Sequence, residues 1–350
     1  MNRDLTMQAD RELMKDLSII LVNWNSLAFA EQCIASICSN AHGLDYEIIV
    51  VDNASADAPC NRLVAKFPWV TLLLSERNLG FGRANNLAAQ QSSGRNLLFL
   101  NPDTVVLGDA LPRMVDLLTA NPQAGAVGCR LINTDGTVQT SCVQSFPTVL
   151  NQLLALDFLK RRWPATPPWG IRALGSASHH KSVYDVDVVS GACILIRRHV
   201  FEQVGGFNPE YFMYAEEVDL CHCIHRDGWK ILHTAAAQVI HFGGQSTTSR
   251  EDGFTDIAMR DSVHRFLRRT RGNAYASLYR AAILASAVCR LAALALVYPA
   301  TALPGQITRR EPVARRFRKW LRIARWSIGK NSWQQAVSEA CPANALPGDH

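Results

Sequence analysis

The stretch Leu17-Ser18-Ile19-Ile20-Leu21-Val22 is an apolar run interrupted by a single serine, and it decides the fold class. A strand covered by helices on both faces has such a run, whereas a strand with one wet face alternates apolar and polar residues. Glu47-Ile48-Ile49-Val50-Val51 and Asn96-Leu97-Leu98-Phe99-Leu100 repeat the pattern. Residues 28–39 and 110–121 carry apolar residues at helical spacing. The alternation of strands and helices predicts an α/β fold with a mostly parallel sheet flanked by helices.

Shorter patterned segments extend this alternation. We predict helices at 61–67, 83–91 and 197–204, and strands at 70–74 and 186–196. Residues 143–181 are rich in proline and tryptophan and predict an irregular insertion. Insertions of that length are usually functional, so we expect this one to contribute to an acceptor region.

Composition excludes several classes of protein. The 350 residues are 48% apolar and 19% charged, which is typical of a globular chain and not of a disordered or collagen-like one. The ten cysteines form no Cys-x-x-Cys pair, which argues against a zinc knuckle. Residues 1–16 form a polar tail without the pattern of a signal peptide. We therefore expect free, mostly buried thiols in a reducing, cytoplasmic compartment.

The C-terminal part of the chain, residues 249–350, has a different character. Residues 250–330 hold 17 Lys/Arg and 5 Asp/Glu, a balance of +12, against +6 for the whole chain. Residues 274–303 are rich in Ala and Leu, with Arg280 and Arg290 as their charges. A central arginine costs about 2.5–3.5 kcal/mol in a bilayer, which favours a buried or interfacial helix over a crossing.

Residues 313–328 predict a basic amphipathic helix that carries aromatic side chains. Such a helix suits the surface of an anionic membrane, and its apolar neighbour at 274–303 strengthens that interpretation. The alternative is an ordinary surface helix packed on the domain.

Acidic residues follow or open the predicted elements at three places. Asp52 ends the second strand, and Asp103 follows the strand 96–100 through Asn101-Pro102. Glu217 and Asp219 stand in Glu216-Glu217-Val218-Asp219. Ligands of open α/β sheets collect at the carboxyl ends of the strands, so these acids are candidates to hold a metal, a ribose or a proton.

Each acidic segment also has a structural interpretation. Asn101-Pro102-Asp103 is typical of a plain turn, and Asp52 or Asn53 is suited to cap a helix. Glu217 and Asp219 do not share a helix face, so we expect one of them, Glu217, to point into the site as general base. His241 follows an apolar run and is either structural or a metal ligand.

The segment from Asn78 to Asn86 contains Gly80-Phe81-Gly82. It lacks the third glycine of a dinucleotide fingerprint and has Asn85 in that place, which weakens a dehydrogenase interpretation. The glycines allow a loop to approach a nucleotide, with Arg83 or Asn85 making contacts.

Together these segments resemble family 2 of the inverting glycosyltransferases, with the GT-A fold, and within it the rhamnosyltransferase-like branch. The resemblance covers about residues 17–248, which we take as one domain. It is carried by ordered motifs along the chain: residues 18–25, 51–55, 78–86, 99–103, 190–192, 205–207, 212–214 and 216–221, His241, Gly243-Gly244 and Ser246.

The resemblance implies a role for each candidate. Asp103 and His241 would bind a divalent cation, Mg²⁺ or Mn²⁺, although Asn101 stands where the family motif has its first acid. Glu217 would be the catalytic base, where the family usually has Asp, and Asp219 stays open as the alternative. The nucleotide-sugar donor would be bound by Asn23, Asn25, Asp52, Asn53, Arg83, Asn85 and Asn101.

The branch implies dTDP-L-rhamnose as donor, with another UDP-, GDP- or dTDP-sugar as the alternative, and a cell-envelope or lipid-linked glycan as acceptor. We expect no nucleic-acid partner, and a location at the cytoplasmic face of the inner membrane. Two other classes fit the acidic segments: a nucleotidyltransferase, which would release pyrophosphate, and a non-catalytic membrane-associated scaffold.

Overall fold

A computed structural model of the protein describes residues 14–153, 183–243, 254–297 and 310–329. Most of the predicted tail, residues 154–181 of the predicted insertion, and Gly244 and Ser246 of the family motifs lie outside the described residues.

The strands are short and mostly buried. They are β1 (Leu17–Asn23), β2 (Tyr46–Asp52), β3 (Thr71–Leu74), β4 (Asn96–Leu100), β5 (Thr104–Leu107), β6 (Ala124–Ile132), β7 (Val143–Gln144), β8 (Val183–Asp185), β9 (Val188–Val189), β10 (Cys193–Arg197) and β11 (Lys230–His241).

Within the described residues, nine strands form one mixed sheet in the order β3-β2-β1-β4-β10-β6-β11-β5, with β8 added to β11. Strands β3, β2, β1 and β4 are mutually parallel, and β6 is parallel to β11. Strand β10 runs antiparallel between β4 and β6, and β7 and β9 form a separate small ribbon. The predicted mostly parallel α/β sheet is confirmed.

Nine helices occur among the described residues. They are α1 (Leu27–Asn40), α2 (Asn61–Lys66), α3 (Phe81–Gln90), α4 (Ala110–Ala120), α5 (Val149–Leu153), α6 (Arg198–Gln203), α7 (Glu216–Arg226), α8 (Phe254–Val297) and α9 (Arg310–Ser327). Every residue of β1 from Leu17 to Leu21 is buried, as the continuous apolar run predicts for a strand covered on both faces.

Two parts of the sheet differ from the sequence prediction. The run 186–196 is not one strand, because a turn at Gly191 and Ala192 separates β9 from β10. Strands β5 and β6 were not predicted, although β6 is buried along most of its length and pairs with both β10 and β11.

The chain divides into two compact units. Unit 1 contains the sheet and comprises Met1–Phe146, Arg161–Phe212 and Glu216–Ser246. Unit 2 comprises Pro147–Lys160, Met213–Ala215 and Thr247–His350, and its described helices are α5, α8 and α9.

Unit 2 contains the predicted C-terminal helical extension. Helix α8 is interrupted at Gly272, whose φ of 84° and ψ of 170° are not helical. By length and composition alone, Thr255–Leu296 meets the requirements of a membrane span, and buried helices of soluble proteins meet them too. The second half of α8 has an uncharged exposed face, called the apolar face here, made of Ala274, Leu278, Ala281, Ala285, Val288, Cys289, Ala292 and Leu296.

Candidate active site

The predicted site residues of the first strands meet at one edge of the sheet. Asn23 and Asp52 are the last residues of β1 and β2, and the parallel register pairs them directly. The Asn23 amide donates to Asp52 Oδ1 at 3.3 Å and to Ser55 Oγ at 3.0 Å. Asn23 itself is fully buried, so its contribution is to hold the Asp52 carboxylate at the strand end.

Asp103 and His241 come together because β5, which follows Asp103, pairs with the end of β11, whose last residue is His241. Asp103 directly precedes β5, and β5 pairs antiparallel with β11 so that His241 lies opposite Thr104. The imidazole Nε2 of His241 lies 3.4 Å from Asp103 Oδ1 and 3.4 Å from Asn101 Nδ2. Residues distant in sequence therefore form one polar cluster at the same sheet edge.

Gln139 orients the His241 ring. Its Oε1 lies 3.0 Å from His241 Nδ1, and its Nε2 donates to the backbone carbonyl of His241 at 2.6 Å. Because Gln139 Oε1 accepts and Asn101 Nδ2 donates, both partners select the tautomer that carries its proton on Nδ1. The Nε2 lone pair then accepts from Asn101 Nδ2 beside the Asp103 carboxylate, and a bound cation would replace that hydrogen bond.

The imidazole lone pair and the carboxylate oxygen beside it are both electron-rich. A cation between them would satisfy both, and oxygen and imidazole donors suit Mn²⁺ or Mg²⁺. The described residues contain no cluster of three or more His, Cys, Asp or Glu side chains for a metal. Asp103 and His241 thus fit a cation that takes its other ligands from a substrate diphosphate and water.

Glu217 stands in the first turn of α7 beside the turn before β10. A Cβ atom built on Gly191 would lie 3.3 Å from Glu217 Cβ, so only glycine leaves the carboxylate its present position without adjustment. The same turn contacts the metal-side cluster, because Asn101 N donates to Ala192 O at 2.9 Å. Asp52, Asp103 and Glu217 are thereby linked along one edge of unit 1.

The two adjacent glutamates of α7 have raised pKa values. Burial and the charge of Glu217 raise the pKa of Glu216 well above its usual value, and Oε2 of Glu216 has no hydrogen-bond partner among the described residues. Burial also raises the pKa of Glu217, although Glu217 keeps part of its surface accessible to solvent. A carboxylate with a raised pKa is a stronger base, which suits proton abstraction near neutral pH.

Asp219, the alternative base, has a different environment. It is buried, and its carboxylate accepts hydrogen bonds from the Tyr211 hydroxyl at 3.4 Å and the Asn208 amide at 3.5 Å. The structure thus places Asp219 in the packing of the turn before α7 and leaves Glu217 beside Gly191.

Several predicted donor-binding side chains make hydrogen bonds within the protein. Asn53 donates to Asn78 Oδ1 at 2.9 Å and accepts from Leu79 N at 2.7 Å, so it supports the glycine-containing loop. Asn25 accepts from Ala56 N at 2.7 Å. The others are likewise engaged: Asn85 with Phe81 O at 3.0 Å and Arg83 with Pro209 O at 2.9 Å. Their assignment to the nucleotide sugar stays a prediction.

Sequence analysis did not identify Gln139 or Gly191 as residues that position site groups. Gln139 lies 102 residues from His241, and no local pattern marks such a pair. The motif containing Gly191 was noticed, but its contact with Glu217 depends on how α7 packs against the sheet.

Comparison with known proteins is decisive for the family. The family model of glycosyl transferase family 2 matches residues 18–205, which include β1 to β10 and the residues that hold Asp52 and Asp103. The chain belongs to glycosyl transferase family 2. This family 2 transferase has the GT-A fold, and the family and branch predicted from its motifs are confirmed.

Curated relatives include rhamnosyltransferases. An N-acetylglucosaminyl-diphospho-decaprenol L-rhamnosyltransferase of Mycobacterium tuberculosis is 31% identical over 66% of this chain and 77% of its own length. Rhamnosyltransferase WbbL of Escherichia coli is 25% identical over 72% of this chain and 93% of its own length.

Among solved structures, a mannosyltransferase of Pyrobaculum calidifontis in complex with GDP-Man and Mn²⁺ has a TM-score of 0.53. It is 16% identical and covers 94% of this chain and 95% of its own length. This likeness is one of fold.

Proposed function

We propose that this family 2 enzyme transfers L-rhamnose from dTDP-L-rhamnose to a hydroxyl of a lipid-linked envelope glycan, with inversion at the anomeric carbon. Family membership favours glycosyl transfer over the nucleotidyltransferase and scaffold alternatives. The rhamnosyltransferases among its relatives support the sugar, and the diphospho-decaprenol named for one of them supports the acceptor class. The observation that best supports this proposal is that Asp52, Asp103 and Glu217 lie along one edge of the sheet.

Glu217 acts as the base in this proposal. One carboxylate oxygen takes the proton of the acceptor hydroxyl while that oxygen forms its bond to the anomeric carbon. The bond between the anomeric carbon and the donor diphosphate breaks on the opposite side, and the nucleoside diphosphate leaves with the electron pair. Attack and departure on opposite faces invert the anomeric centre.

Asp103 and His241 would hold a divalent cation, and Gln139 would keep the His241 ring in the ligating tautomer. When bound, the cation supplies charge neutralisation for the diphosphate leaving group. Asp52 ends β2, two strands along the sheet from β4, whose end leads into Asn101, and would take the nucleoside end of the donor.

Two isosteric variants test the base. Glu217→Gln should lower kcat by about 10²–10⁴-fold, because it removes the proton acceptor, while donor affinity stays unchanged. Asp219→Asn is the matched control in the same helix and should keep most of the transfer rate. The measurement is sugar transfer, with donor binding followed separately by calorimetry. Near-normal turnover of Glu217→Gln would remove Glu217 from this role.

The donor is tested by thermal denaturation with a panel of nucleotide sugars, with and without Mg²⁺ or Mn²⁺. A donor at one hundred times its Kd should stabilise the fold by about 2.7 kcal/mol. We expect dTDP-L-rhamnose to give the largest shift, and a larger shift from a UDP- or GDP-sugar would replace the donor assignment.

Unit 2 supplies the membrane contact in this proposal. The exposed apolar face of α8 carries no charge, whereas α9 exposes Arg315, Arg316, Arg318 and Arg325. An uncharged face beside a basic helix suits an anionic lipid surface. The arginines of α9 and the apolar face of α8 lie on two helices that pack against each other.

Flotation with vesicles containing phosphatidylglycerol tests this contact. The double variant Arg316→Glu, Arg325→Glu should lose flotation, because each reversal replaces attraction to the lipid by repulsion. Arg62→Glu, an exposed charge reversal in α2 of unit 1, is the control and should float like the unmodified chain. Equal flotation of both variants would refute the membrane assignment.

A further inference from the structure

Arg130 is buried without a counter-charge. It lies in β6 and is 6% exposed, yet no hydrogen bond or ion pair of its side chain occurs among the described residues. Two partly buried arginines of unit 1 are satisfied by backbone carbonyls. Arg197 donates to Ala124 O at 2.8 Å, and Arg198 donates to Gly94 O at 2.6 Å.

Arg130 is buried, but none of its side-chain nitrogens is among the fully sealed, unpartnered polar atoms of the described residues, so the guanidinium keeps contact with solvent. A guanidinium in such a recess still favours a partner of opposite charge. The fully buried His233 of the neighbouring strand offers no such partner. Burial lowers the pKa of His233 to about 4, and the charge of Arg130 acts in the same direction. At neutral pH His233 is therefore uncharged and adds no counter-charge beside Arg130.

Arg130 lies on the face of the sheet that carries the candidate base. Side chains two residues apart in a strand share a face, so Arg130 lies on the face of Gly128. A Cβ built on Gly128 would meet Val189 of β9, and Ser190 of the next turn donates to Cys142 O at 3.2 Å. Burial raises the pKa of Cys142, and the charge of Arg130 acts in the opposite direction, which puts Arg130 close to Cys142.

Strand register puts Arg130 near the functional edge. It pairs with Gln238, and two residues further on Ile132 pairs with Ile240, which precedes the candidate metal ligand His241. The sheet order puts β10 and β6 on the side of β4 away from β2, where Asp52 would bind the nucleoside. Arg130 is therefore on the side of the sheet away from the predicted nucleoside end, which is the side left for an acceptor.

We propose that Arg130 binds a phosphoryl group of the glycosyl acceptor, in the form of a diphosphate that links the acceptor sugar to its carrier. This inference rests on the proposed function. A guanidinium is the side chain best suited to bidentate recognition of phosphate. A sugar ring between the attacking hydroxyl and the diphosphate accounts for the separate positions of Glu217 and Arg130.

Inorganic pyrophosphate in the presence of EDTA is the first probe, read as a shift in Tm. Chelation removes the cation through which a donor diphosphate would be held at Asp103 and His241. Pyrophosphate should raise the Tm of the full chain and of Asp103→Ala, and should leave the Tm of Arg130→Gln unchanged. Arg197→Gln is the matched control and should keep the shift, despite a lower starting Tm from its lost carbonyl contacts.

Steady-state kinetics distinguish binding of the acceptor diphosphate from binding of the donor diphosphate. Arg130→Gln should raise KM at least tenfold for an acceptor sugar on a diphospho-alkyl carrier, with no change for the same sugar on a neutral alkyl carrier. The donor KM and kcat should stay within twofold. Arg130→Lys keeps the charge and should show a smaller rise.

Several results would overturn the assignment. A pyrophosphate shift that persists in Arg130→Gln, or that is absent in the full chain, removes the anion site. A rise in donor KM in place of acceptor KM assigns Arg130 to the donor. A fall in Tm for Arg130→Gln as large as that for Arg197→Gln shows a structural partner. The pyrophosphate experiment measures binding and not sugar transfer. Its result therefore tests Arg130 even if the proposed rhamnosyl transfer is wrong.

Discussion

Replacing Gly191 with alanine should move the candidate base without removing it. An ideal Cβ at Gly191 lies 3.3 Å from Glu217 Cβ, 3.5 Å from Cγ and 3.8 Å from Cδ. The first distance is tighter than nearly all contacts of real Cβ atoms, so Glu217 must yield by a few tenths of an ångström. The φ of Gly191 lies outside the left-handed region, so alanine adds bulk without backbone strain.

The magnitude follows from the displacement. A 1 Å misplacement of a reacting group costs about 10²-fold in rate, so a shift of about 0.3 Å should lower kcat about fourfold if the logarithm of the rate falls linearly. Loss of the base in Glu217→Gln should cost about 10²–10⁴-fold. The difference between a fourfold and a 10²–10⁴-fold loss of kcat distinguishes a displaced base from an absent one.

Initial transfer rates at saturating donor measure the effect, with Tm measured in parallel. Donor KM should stay constant, because the predicted donor residues lie at or just after the ends of β1, β2 and β4 and in α3, and none of them is in the turn at Gly191. Ser190→Ala is the control. It removes a hydroxyl that accepts from Ala192 N at 3.3 Å but adds no atom against Glu217, so kcat should stay within twofold. An unchanged kcat in Gly191→Ala would refute the contact as a determinant of catalysis, and a loss as large as in Glu217→Gln would refute the displacement argument.

Three further predictions concern neighbouring residues. The pKa of Glu216 is raised in the folded state, so ionisation of Glu216 opposes folding as the pH rises above the usual pKa of 4.5. Glu216→Gln should therefore have a higher Tm than the unmodified chain at pH 8, and the two Tm values should converge near pH 4. Equal Tm values at pH 8 would contradict this. Gln139→Leu should raise the Mn²⁺ concentration for half-maximal transfer about 10–100-fold, with kcat restored at saturating Mn²⁺, because His241 loses its orienting bond. Gly128→Ala should cost about 1–3 kcal/mol in urea unfolding, since its Cβ would lie 2.5 Å from Val189 Cβ, and a change under about 0.5 kcal/mol would show that β9 yields freely.

The first half of the fold was predictable because its signals are local. Strand β1 is buried on both faces, so its sequence is a nearly continuous apolar run, a pattern that β2 and β4 share. Asp52 and Asp103 each follow such a run directly, and parallel strand ends share an edge. Their position at one edge of the sheet therefore follows from the pattern of strands alone, and their joint role in one site stays a prediction.

The second half was not predictable in the same way, because its contacts join distant parts of the chain. His241 reaches Asp103 through the pairing of β11 with β5, a strand of four residues that leaves almost no pattern in the sequence. Gln139 and Arg130 act across strands, and a buried arginine is recognised as unpaired only when its surroundings are known. The asparagines of the loop motifs show a related limit, since Asn53 braces a loop through contacts that its motif does not reveal.

The arginines of the apolar helix α8 show how the structure changes an argument made from sequence. Counted in a bare helix, Arg290 opposes a crossing of the bilayer by about 2.5–3.5 kcal/mol. In unit 2 the Arg290 guanidinium lies 4.2 Å from the Trp320 ring centre, and Arg280 lies 5.0 Å from the Trp326 ring centre and donates to Trp326 O at 2.6 Å. The reversed order of these pairs means that α8 and α9 run antiparallel, and that both charges point away from the apolar face. The arginines therefore oppose a crossing of the bilayer but not an orientation in which that face alone meets lipid.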